Sequence, residues 1–270
     1  MRKRRVPKWL SMFVWILVLI VAWEIGANII EGSKRTPENV LPHLYQIVDA
    51  IFSDQPVANG QTALMVVLIS AGKTLLRALY GFLLGTALGF TVALILKVSH
   101  IAEKILFPYL MLIQMIPILG MAPIILAITK DINASRIIIA AILTFYPVAT
   151  NTLAGFNAVE REKYELMYSY AANKSTIYRK VLIPYSIPYF FTGLKISAPM
   201  AITASILVDT LQGDGGLGCI LSQSQKHAMS IYVFWIIIFF SAFIGILSTK
   251  VMGIIEKLCT PQNRKGRCKS

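Results

Sequence analysis

The sequence is dominated by apolar runs that are long enough to cross a lipid bilayer. A spanning helix needs about 20 consecutive apolar residues, and six regions of this 270-residue chain meet or approach that requirement. A soluble domain carries about 25% charged residues, whereas this chain carries 14% and has a mean hydropathy of +0.66. We therefore predict an all-α integral membrane protein with a single transmembrane domain over residues 1–270. The predicted spans cover approximately residues 9–30, 78–96, 105–128, 137–155, 188–211 and 231–255.

The first apolar run, Trp9–Ile30, directly follows the basic segment Met1–Lys8. A cleaved signal peptide has an apolar core of about 7–15 residues and a small-residue cleavage site. This run is longer and has no clean cleavage site, so we interpret it as a retained first helix. Trp9 and Trp23, near its ends, are typical of interfacial anchors.

Basic residues are distributed unevenly between the two sides of the predicted membrane domain. The net charge of +13 could indicate a nucleic-acid partner, but the basic clusters flank apolar helices and carry no interleaved aromatics, so no nucleic acid is expected. Six spans put both termini on one side, which receives 18 Lys and Arg residues, against five on the other side. This bias predicts a multi-pass protein of the cell membrane with both termini in the cytoplasm. The polar connection 31–60, with a short helix around Leu44–Phe52, would then be external.

The third run, residues 105–128, is interrupted by Pro108, Pro117, Gly120 and Pro123. Such breaks survive at membrane depth only where the freed backbone lines a cavity or is buried in protein. We therefore expect a bent helix that lines a pathway. The candidate pathway residues are Gln114, Pro117, Asn151 and Thr203.

Gly81, Gly85 and Gly89 recur every four residues along the second span. This spacing places them on one helix face, where a neighbouring backbone can approach closely. The alternative interpretation is that they are ordinary small residues of a membrane helix. Lys73 and Arg77 are expected to separate this span from an amphipathic lead-in.

A long polar segment, Glu165–Pro184, lies between the fourth and fifth spans in the coupling-loop region 156–187. Its apolar residues have helical spacing and its charges lie between them. Arg179 and Lys180 add positive charge, and Pro184 is expected to end the pattern. We predict a pair of short amphipathic helices that contact a partner outside the membrane. The apolar positions are Leu166, Tyr170, Ile177 and Val181.

This segment resembles the EAA loop of binding-protein-dependent ABC importer permeases. Glu165 occupies the Glu position of that motif, Ala171 the Gly position, and Ile183-Pro184 the closing apolar-Pro pair. Leu166 and Met167 replace the two alanines of the motif. Because an alanine does not adopt positive φ cheaply, we expect the turn at Ala171 to be helical or differently closed.

Other parts of the chain are similar to the nitrate, sulfonate and taurine subgroup of these permeases. The resemblance extends over roughly residues 40–255. It rests on Leu41-Pro42, residues 108–123, the stretch Asn151–Gly155 and residues 213–218.

The resemblance implies a non-enzymatic permease subunit of an ATP-driven importer, with the type I permease fold. Its implied partners are two copies of an ABC ATPase subunit, which bind ATP and Mg²⁺, an extracytoplasmic substrate-binding protein and a second permease copy, as in a homodimer. Within the loop, Glu165, Arg179 and Lys180 would make polar contacts with the ATPase, and Pro184 would set the exit into the fifth span. The residues that would fill the ATPase groove are Tyr168, Tyr170 and Ile177. The competing interpretation is a solvated loop helix that packs on its own bundle.

Several motifs that suggest other chemistry lack the necessary context. Ala71–Thr74 imitates the end of a phosphate-binding loop, but Val67 stands where that motif needs a glycine. Gly213, Gly215 and Gly218 spell a dinucleotide fingerprint, but they follow a membrane helix and not a strand, so we expect a flexible external turn. No metal site or cofactor is expected, because the histidines and cysteines fall on different sides of the membrane. They are His43, His100, His227, Cys219, Cys259 and Cys268.

Charges inside membrane helices are functional candidates because they are costly to bury. Glu24, Lys195 and Asp209 are the three candidates, and each is predicted to lie near an end of its span. A stand-alone secondary carrier or channel is the alternative function, but it would need a deeper ionisable residue and an internal repeat. An intramembrane enzyme would need a nucleophile–base pair. We expect energy to enter from a separate protein.

The solute is less constrained than the transport class. The resembling subgroup handles nitrate, sulfonates, taurine, and pyrimidine- or riboflavin-type vitamins and their precursors. An anion site would be expected to show a buried Arg or Lys, and none is predicted in mid-span. The sequence therefore favours a neutral or aromatic solute, although backbone amides can also hold anions.

Overall fold

The computed structural model describes residues 8–34, 36–58, 60–212, 215–226 and 230–260. Within these ranges the chain forms helices α1–α11 and one short antiparallel hairpin, which confirms the all-α prediction. The helices are α1 Lys8–Ser33, α2 Leu44–Phe52, α3 Ala63–Val98, α4 His100–Met115, α5 Ile118–Thr129, α6 Ile132–Asn157, α7 Arg161–Ser169, α8 Lys174–Ile177, α9 Ile183–Gln212, α10 Leu217–Gln225 and α11 Ile231–Cys259. The hairpin strands are β1 Pro56–Ala58 and β2 Gln61–Thr62, a 3₁₀ turn covers Pro37–Asn39, and a π-helical turn covers Tyr178–Leu182.

Some sequence predictions concern residues outside the described ranges. They are the basic residues of 1–7 and 261–270, Arg35, Gly213, His227 and Cys268.

Five helical segments of the described chain are long and apolar enough to cross a membrane, and a bent helix pair supplies a sixth. The pair is α4 and α5, whose axes differ by 106°. The third span is therefore broken as predicted, but only Pro117, immediately before α5, lies at the break. Pro108 and Pro123 lie inside helices, where neighbouring groups of a membrane helix can satisfy the freed carbonyls.

Two helix starts differ from the prediction, and both bring charged residues inside a helix. Lys73 and Arg77 do not interrupt α3, which runs as one 36-residue helix about 54 Å long at 1.5 Å per residue. Helix α6 begins at Ile132, five residues before the predicted span 137–155, so Arg136 is helical and does not lie in the loop before that span. Asp131 caps this start by accepting a hydrogen bond from Asn133 N at 2.8 Å.

Most of the described part of the connection between α9 and α11 is helical, although its glycines predicted a flexible external turn. Residues Leu217–Gln225 form α10, in which Leu217 and Cys219 are buried. Gly215 and Gly216, just before it, have φ values of 68° and 105°. These left-handed conformations favour glycine, and they turn the chain into α10.

The described chain divides into two compact units. The N-terminal unit comprises Met1–Ile69 with Ile220–Phe239, and the permease unit comprises Ser70–Cys219 with Phe240–Ser270. Helices α3, α10 and α11 contribute residues to both units.

In the N-terminal unit, Glu24 of α1 caps the first turn of α2, a helix predicted in this loop. Its Oε1 accepts a hydrogen bond from Leu44 N at 2.9 Å, and its Oε2 lies 2.6 Å from His43 Nδ1. A carboxylate at a helix N-terminus is stabilised by the unpaired N–H groups. The carboxylates of Glu24 and Glu31 raise the pKa of the His43 imidazole. The charge predicted at the end of the first span therefore holds α2 in place.

In the permease unit, α3 and α9 both pack closely against α6. Small residues allow this approach: a Cβ built on Gly193 of α9 would lie 2.9 Å from Pro147 O of α6. One core cluster includes Phe82, Ile139 and Leu194. A second core cluster, near the other end of α6, includes Leu96, Phe156, Ile177 and Leu182.

Candidate functional site

The segment between α6 and α9 contains the predicted pair of short helices, α7 and α8. Helix α7 ends in a Schellman motif, in which Ala172 N donates to Met167 O at 3.0 Å and Ala171 N donates to Tyr168 O at 2.9 Å. Ala171 has φ 52°, so the expectation that an alanine would avoid the left-handed region is wrong. The two closing hydrogen bonds, and the packing of Met167 and Ala172 on the core, offset a strain of about 1–2 kcal/mol.

Helix α8 is positioned by a polar cap and a buried side chain. Asn173 Oδ1 accepts a hydrogen bond from Thr176 N at 2.9 Å, which satisfies a free N–H of the first turn. Ile177 is only 3% exposed and packs in the core with Leu182 and Phe156. Ile177 therefore cannot fill a partner's groove as predicted, and it follows the competing interpretation of a side chain packed on its own bundle.

Pro184 does not end the helical pattern. Residues Lys174–Leu211 form one helical segment that passes through Pro184, and the π-helical turn lies directly before it. Ile183 N donates to Tyr178 O across this turn. A proline inside an α-helix clashes with the carbonyl four residues earlier, and the wider π turn relieves the geometry at that position.

The remaining loop residues predicted from the motif form an exposed surface. Glu165, Arg179, Lys180 and Pro184 are all exposed. Tyr168 and Tyr170 are 60% and 76% exposed, which is unusual for large aromatic rings on a helix pair with a packed inner face. Exposed aromatic and basic side chains are typical of protein interfaces. Ala171 is also exposed and lies at the turn between α7 and α8.

The polar interactions on the outer face of α7 are local. Arg161 Nε donates to Glu165 Oε1 at 2.9 Å, with side-chain exposures of 91% and 62%. Such an exposed pair contributes only about 0–1 kcal/mol. Glu165 can therefore exchange this partner for another at little cost.

The inner face of the segment is tied to the spans by a chain of hydrogen bonds. Tyr178 OH donates to Lys97 O at 3.2 Å, and Lys97 Nζ donates to Asn157 Oδ1 at 2.7 Å. Asn157 Nδ2 donates to Glu103 Oε1 at 3.1 Å, so the ends of α3, α4 and α6 are all connected. The ammonium group of Lys163 also lies 4.2 Å from the ring centroid of Tyr185.

Burial of one further tyrosine on α7 is consistent with this firm attachment. Tyr164 is partly buried, and burial raises the pKa of its hydroxyl. Its hydroxyl has no hydrogen-bond partner among the described residues. The segment therefore has an anchored inner face and a free outer face.

The structure does not bring the four candidate pathway residues to one cavity. Gln114 and Pro117 are exposed, and Gln114 borders a small cavity of about 20 Å³ with Pro147 and Met200. Asn151 donates to Pro147 O of its own helix at 2.7 Å. Thr203 donates to Pro199 O at 3.0 Å and does not border this cavity.

The three glycines of α3 lie directly against α6. A Cβ built on Gly81 would lie 2.4 Å from Ala140 Cβ, and one built on Gly85 would lie 2.4 Å from Ala141 O. One built on Gly89 would lie 2.7 Å from Phe145 O. Real Cβ atoms do not occupy such positions, so the backbone approach depends on glycine at these sites.

A buried charge cluster, which the sequence analysis did not predict, joins α3, α6 and α9. It lies at the helix ends opposite to the α7–α8 segment. Arg136 of α6 and Asp209 of α9 are both fully buried, with Nε 2.7 Å from Oδ1 in an ion pair. Arg77 of α3 lies 3.4 Å from the same carboxylate and also donates to Gly215 O at 3.3 Å. Thr74 donates to Asp209 Oδ2 at 2.7 Å.

The start of α10 completes this cluster. Leu217 N donates to Thr74 Oγ1 at 2.9 Å. A Cβ built on Gly216 would lie 2.1 Å from Asp209 Oδ2, so the glycine-rich stretch approaches the carboxylate closely. Gly215 and Gly218, two glycines of the sequence that imitates a dinucleotide motif, and Thr74 of the false phosphate loop have this structural role. The sequence feature that could have predicted this cluster is that Asp209, Arg77 and Arg136 all lie near predicted span ends on the same side of the membrane.

The sequence matches a family model described as binding-protein-dependent transport system inner membrane component over residues 85–260. Among curated proteins, it is 27% identical over 254 residues to the formylaminopyrimidine transport permease protein ThiX of Halalkalibacterium halodurans, covering 93% of this chain and 95% of the relative. It is 25% identical to the nitrate import permease protein NrtB of a Synechocystis species, covering 96% and 92%.

Solved structures with similar folds include inward-facing conformations of the MetNI methionine ABC transporter, with a TM-score of 0.63 and 18% identity over 72% of this chain and 96% of that one. An amino acid ABC transporter crystallised with histidines has a TM-score of 0.61 and 20% identity, covering 72% and 94%. The fold is therefore that of a type I ABC importer permease. With its match over residues 85–260, this chain belongs to the family of binding-protein-dependent transport system inner membrane components, multi-pass proteins that act in ABC transport.

Proposed function

We propose that this protein is the permease subunit of an ATP-driven importer and forms the path by which a small solute crosses the membrane. The observation that carries this proposal is the contrast between the two faces of the α7–α8 segment. Its inner face is bonded to the ends of the spans, and its outer face exposes Tyr168 and Tyr170 beside charged side chains. A segment built in this way can bind a separate protein and transmit that protein's conformational change to the spans.

The proposed partners are an ATPase subunit in two copies, an extracytoplasmic binding protein and a second copy of this permease. ATP and Mg²⁺ bind to the ATPase, and this chain itself holds no cofactor or metal ion. Glu165, Arg179 and Lys180 make the polar contacts with the ATPase. Tyr168 and Tyr170 fill its groove, while the buried Ile177 and the π turn before Pro184 connect the contact to α9.

In the proposed orientation the α7–α8 segment and both termini are cytoplasmic, as the bias of basic residues favours. A single cysteine at position 170, in a protein whose own three cysteines are replaced, should react with a membrane-impermeant maleimide only after the cells are opened. A cysteine at position 215 should react in intact cells. External labelling at position 170 would contradict this orientation.

The solute proposed for this importer is a neutral or aromatic compound, such as a pyrimidine-type vitamin precursor. The buried Arg136, a group that could hold an anion, is already paired with Asp209 near the helix ends. ThiX, which the chain resembles, is a formylaminopyrimidine permease, whereas NrtB is a nitrate permease. Uptake in cells should be inhibited by excess formylaminopyrimidine and not by nitrate, and the reverse result would reject this solute class.

The central test is a charge reversal on the exposed face of α7. Glu165→Lys should reduce co-purification of the ATPase and abolish uptake, because losing one partner of an interfacial charge pair costs about 2–5 kcal/mol. That cost corresponds to at least about a 30-fold weaker association. Glu162→Lys, an exposed change of the same charge on the same helix, is the matched control.

Full ATPase recovery and full uptake with Glu165→Lys would remove the main support for the proposal. Uptake by the purified permease alone, driven by an ion gradient in liposomes, would instead support the stand-alone carrier. Both measurements require matched expression, which should be unaffected because Glu165 lies outside the spans.

A further inference from the structure

A cavity in the N-terminal unit is separate from the residues assigned to transport above. It has a volume of about 470 Å³. Its walls come from α2, from the start of the hairpin and from the beginning of α11. The polar side chains that line it are Tyr45, Gln46, Asp49, Gln55, Ser230 and Tyr232.

The charge of this cavity is negative. Asp49 is the one ionisable acid in the described lining, which includes no Lys, Arg or His. Helix α2 also ends here, with Ser53 as its last capping residue. The final carbonyl groups of a helix lack intrahelical partners and carry partial negative charge. Both features favour a cation and disfavour an anion of the same size.

The lining also offers hydrogen-bond acceptors that the described residues leave unused. The side chains of Asp49 and Gln55 make no hydrogen bond or ion pair within the described part of the chain. Tyr232 donates its hydroxyl proton to Glu38 Oε2 at 2.9 Å, so its oxygen faces a ligand only as an acceptor. This bond also places the Glu38 carboxylate at the hydroxyl end of the Tyr232 ring.

Two tyrosine rings in the lining of the cavity favour a flat ligand. Tyr45 is 67% exposed, and its ring stacks on that of His43 with centroids 5.5 Å apart. The second ring is that of Tyr232. The faces of aromatic rings attract cations within about 6 Å, and they pack well on flat groups.

We propose that this cavity binds a small, flat organic cation with several N–H donors, such as an amidine, a guanidine or a protonated amino-heterocycle. The Asp49 carboxylate accepts two N–H groups in a charge-assisted contact. Tyr45 and Tyr232 contact the face or edge of the flat group, and the Gln55 side chain accepts a remaining donor. This group is carried either by a free solute or by an arginine side chain of an extracytoplasmic protein.

The test uses two probes of the same shape and opposite charge, benzamidine and benzoate, with the full-length protein in lipid nanodiscs. Benzamidine should bind measurably, and benzoate should bind at least about tenfold more weakly. Asp49→Asn should weaken benzamidine binding at least about tenfold. Asp54→Asn, a nearby exposed acid outside the lining, should leave it unchanged within about twofold.

Substitution of a ring separates stacking from charge. Tyr45→Phe should retain benzamidine binding, and Tyr45→Ala should weaken it several-fold. Equal binding of the two probes, or equal binding by wild type and Asp49→Asn, would overturn the proposal. Because these are binding measurements, their outcome does not depend on whether the protein acts as an importer.

The two sources of the cation are separated by competition in the assembled system. Displacement of the extracytoplasmic binding protein by benzamidine identifies a basic side chain of that protein as the natural occupant. Inhibition of solute uptake without displacement of that protein identifies a free solute. If benzamidine binds but changes neither docking nor uptake, the assignment of a functional site is overturned.

Discussion

Two groups of charges lie at opposite ends of the helices in the permease unit, and their surroundings differ sharply. Arg136 and Asp209 are fully buried and in contact, whereas Arg161 and Glu165 form an ion pair in which both side chains are mostly exposed. The buried group joins α3, α6, α9 and the start of α10. The exposed pair joins one turn of α7 to the next.

The comparison shows that the same residue types carry different roles according to burial. A buried charge that loses its partner costs about 3–5 kcal/mol, so the Asp209 cluster holds helix ends in register. An exposed pair contributes about 0–1 kcal/mol, so the charges of α7 are available to another protein. The buried group therefore serves the fold, and the exposed group is suited to association.

The largest effect is expected from removing one partner of the buried pair. Arg136→Ala leaves the Asp209 carboxylate without its nearest cation and should lower the free energy of unfolding by about 3–5 kcal/mol. Thermal unfolding of the detergent-solubilised protein, monitored by size-exclusion chromatography, measures this loss of stability. Arg161→Ala, at the exposed pair, should change the free energy of unfolding by less than about 1 kcal/mol. Similar losses in the two variants would remove the distinction between the two groups.

A smaller but still clear effect is expected at the glycine contact between α3 and α6. Gly85→Leu places a side chain where α6 backbone already lies, and overpacking of this kind costs about 1–3 kcal/mol. Leu84→Ala, at an exposed position on the same helix, should cost less. The yield of folded protein and its thermal stability report the difference. Equal, negligible effects would mean that α3 does not depend on close contact at this face.

The smallest effect is a stabilisation within the exposed segment. Ala171→Gly removes the penalty of a Cβ at φ 52° and should stabilise the end of α7 by about 1 kcal/mol. Slower hydrogen exchange of the amides of residues 171 and 172 measures this local gain. Ala172→Gly is the matched control, and it should give no gain because this residue packs on the core. Faster exchange in Ala171→Gly would contradict the account of strain at this turn.

The spans were predictable because lipid imposes a simple length and composition on a crossing helix. The helix in the loop after α1 and the break near Pro117 were also predictable, since both follow from local patterning. The predicted fourth span began after Arg136, because a charged residue near the end of a span normally belongs to a loop. The helical start that Asp131 caps, and the acid 73 residues further on that pairs with Arg136, set its true position.

The exposed segment shows the same division between local and distant information. Its two helices follow from spacing and caps, but Ile177 and Tyr170 look alike in the sequence as large apolar positions of one segment. Only the packing of α8 on the ends of α3 and α6 decides that Ile177 is buried and Tyr170 is exposed. The left-handed Ala171 is also a tertiary outcome, because packing of Met167 and Ala172 on the core offsets its local cost.

Local sequence patterns are enough to predict a helical membrane protein with a structured polar segment after its fourth span. Hydrophobic length, proline position and charge bias are properties of contiguous residues, and they act before any helix meets another. The packing of the helices determines which charges are buried partners, which glycines contact a neighbouring backbone and which loop residues remain exposed. Those outcomes depend on residues far apart in the chain, since a buried charge is tolerated only where a distant helix supplies its counter-charge.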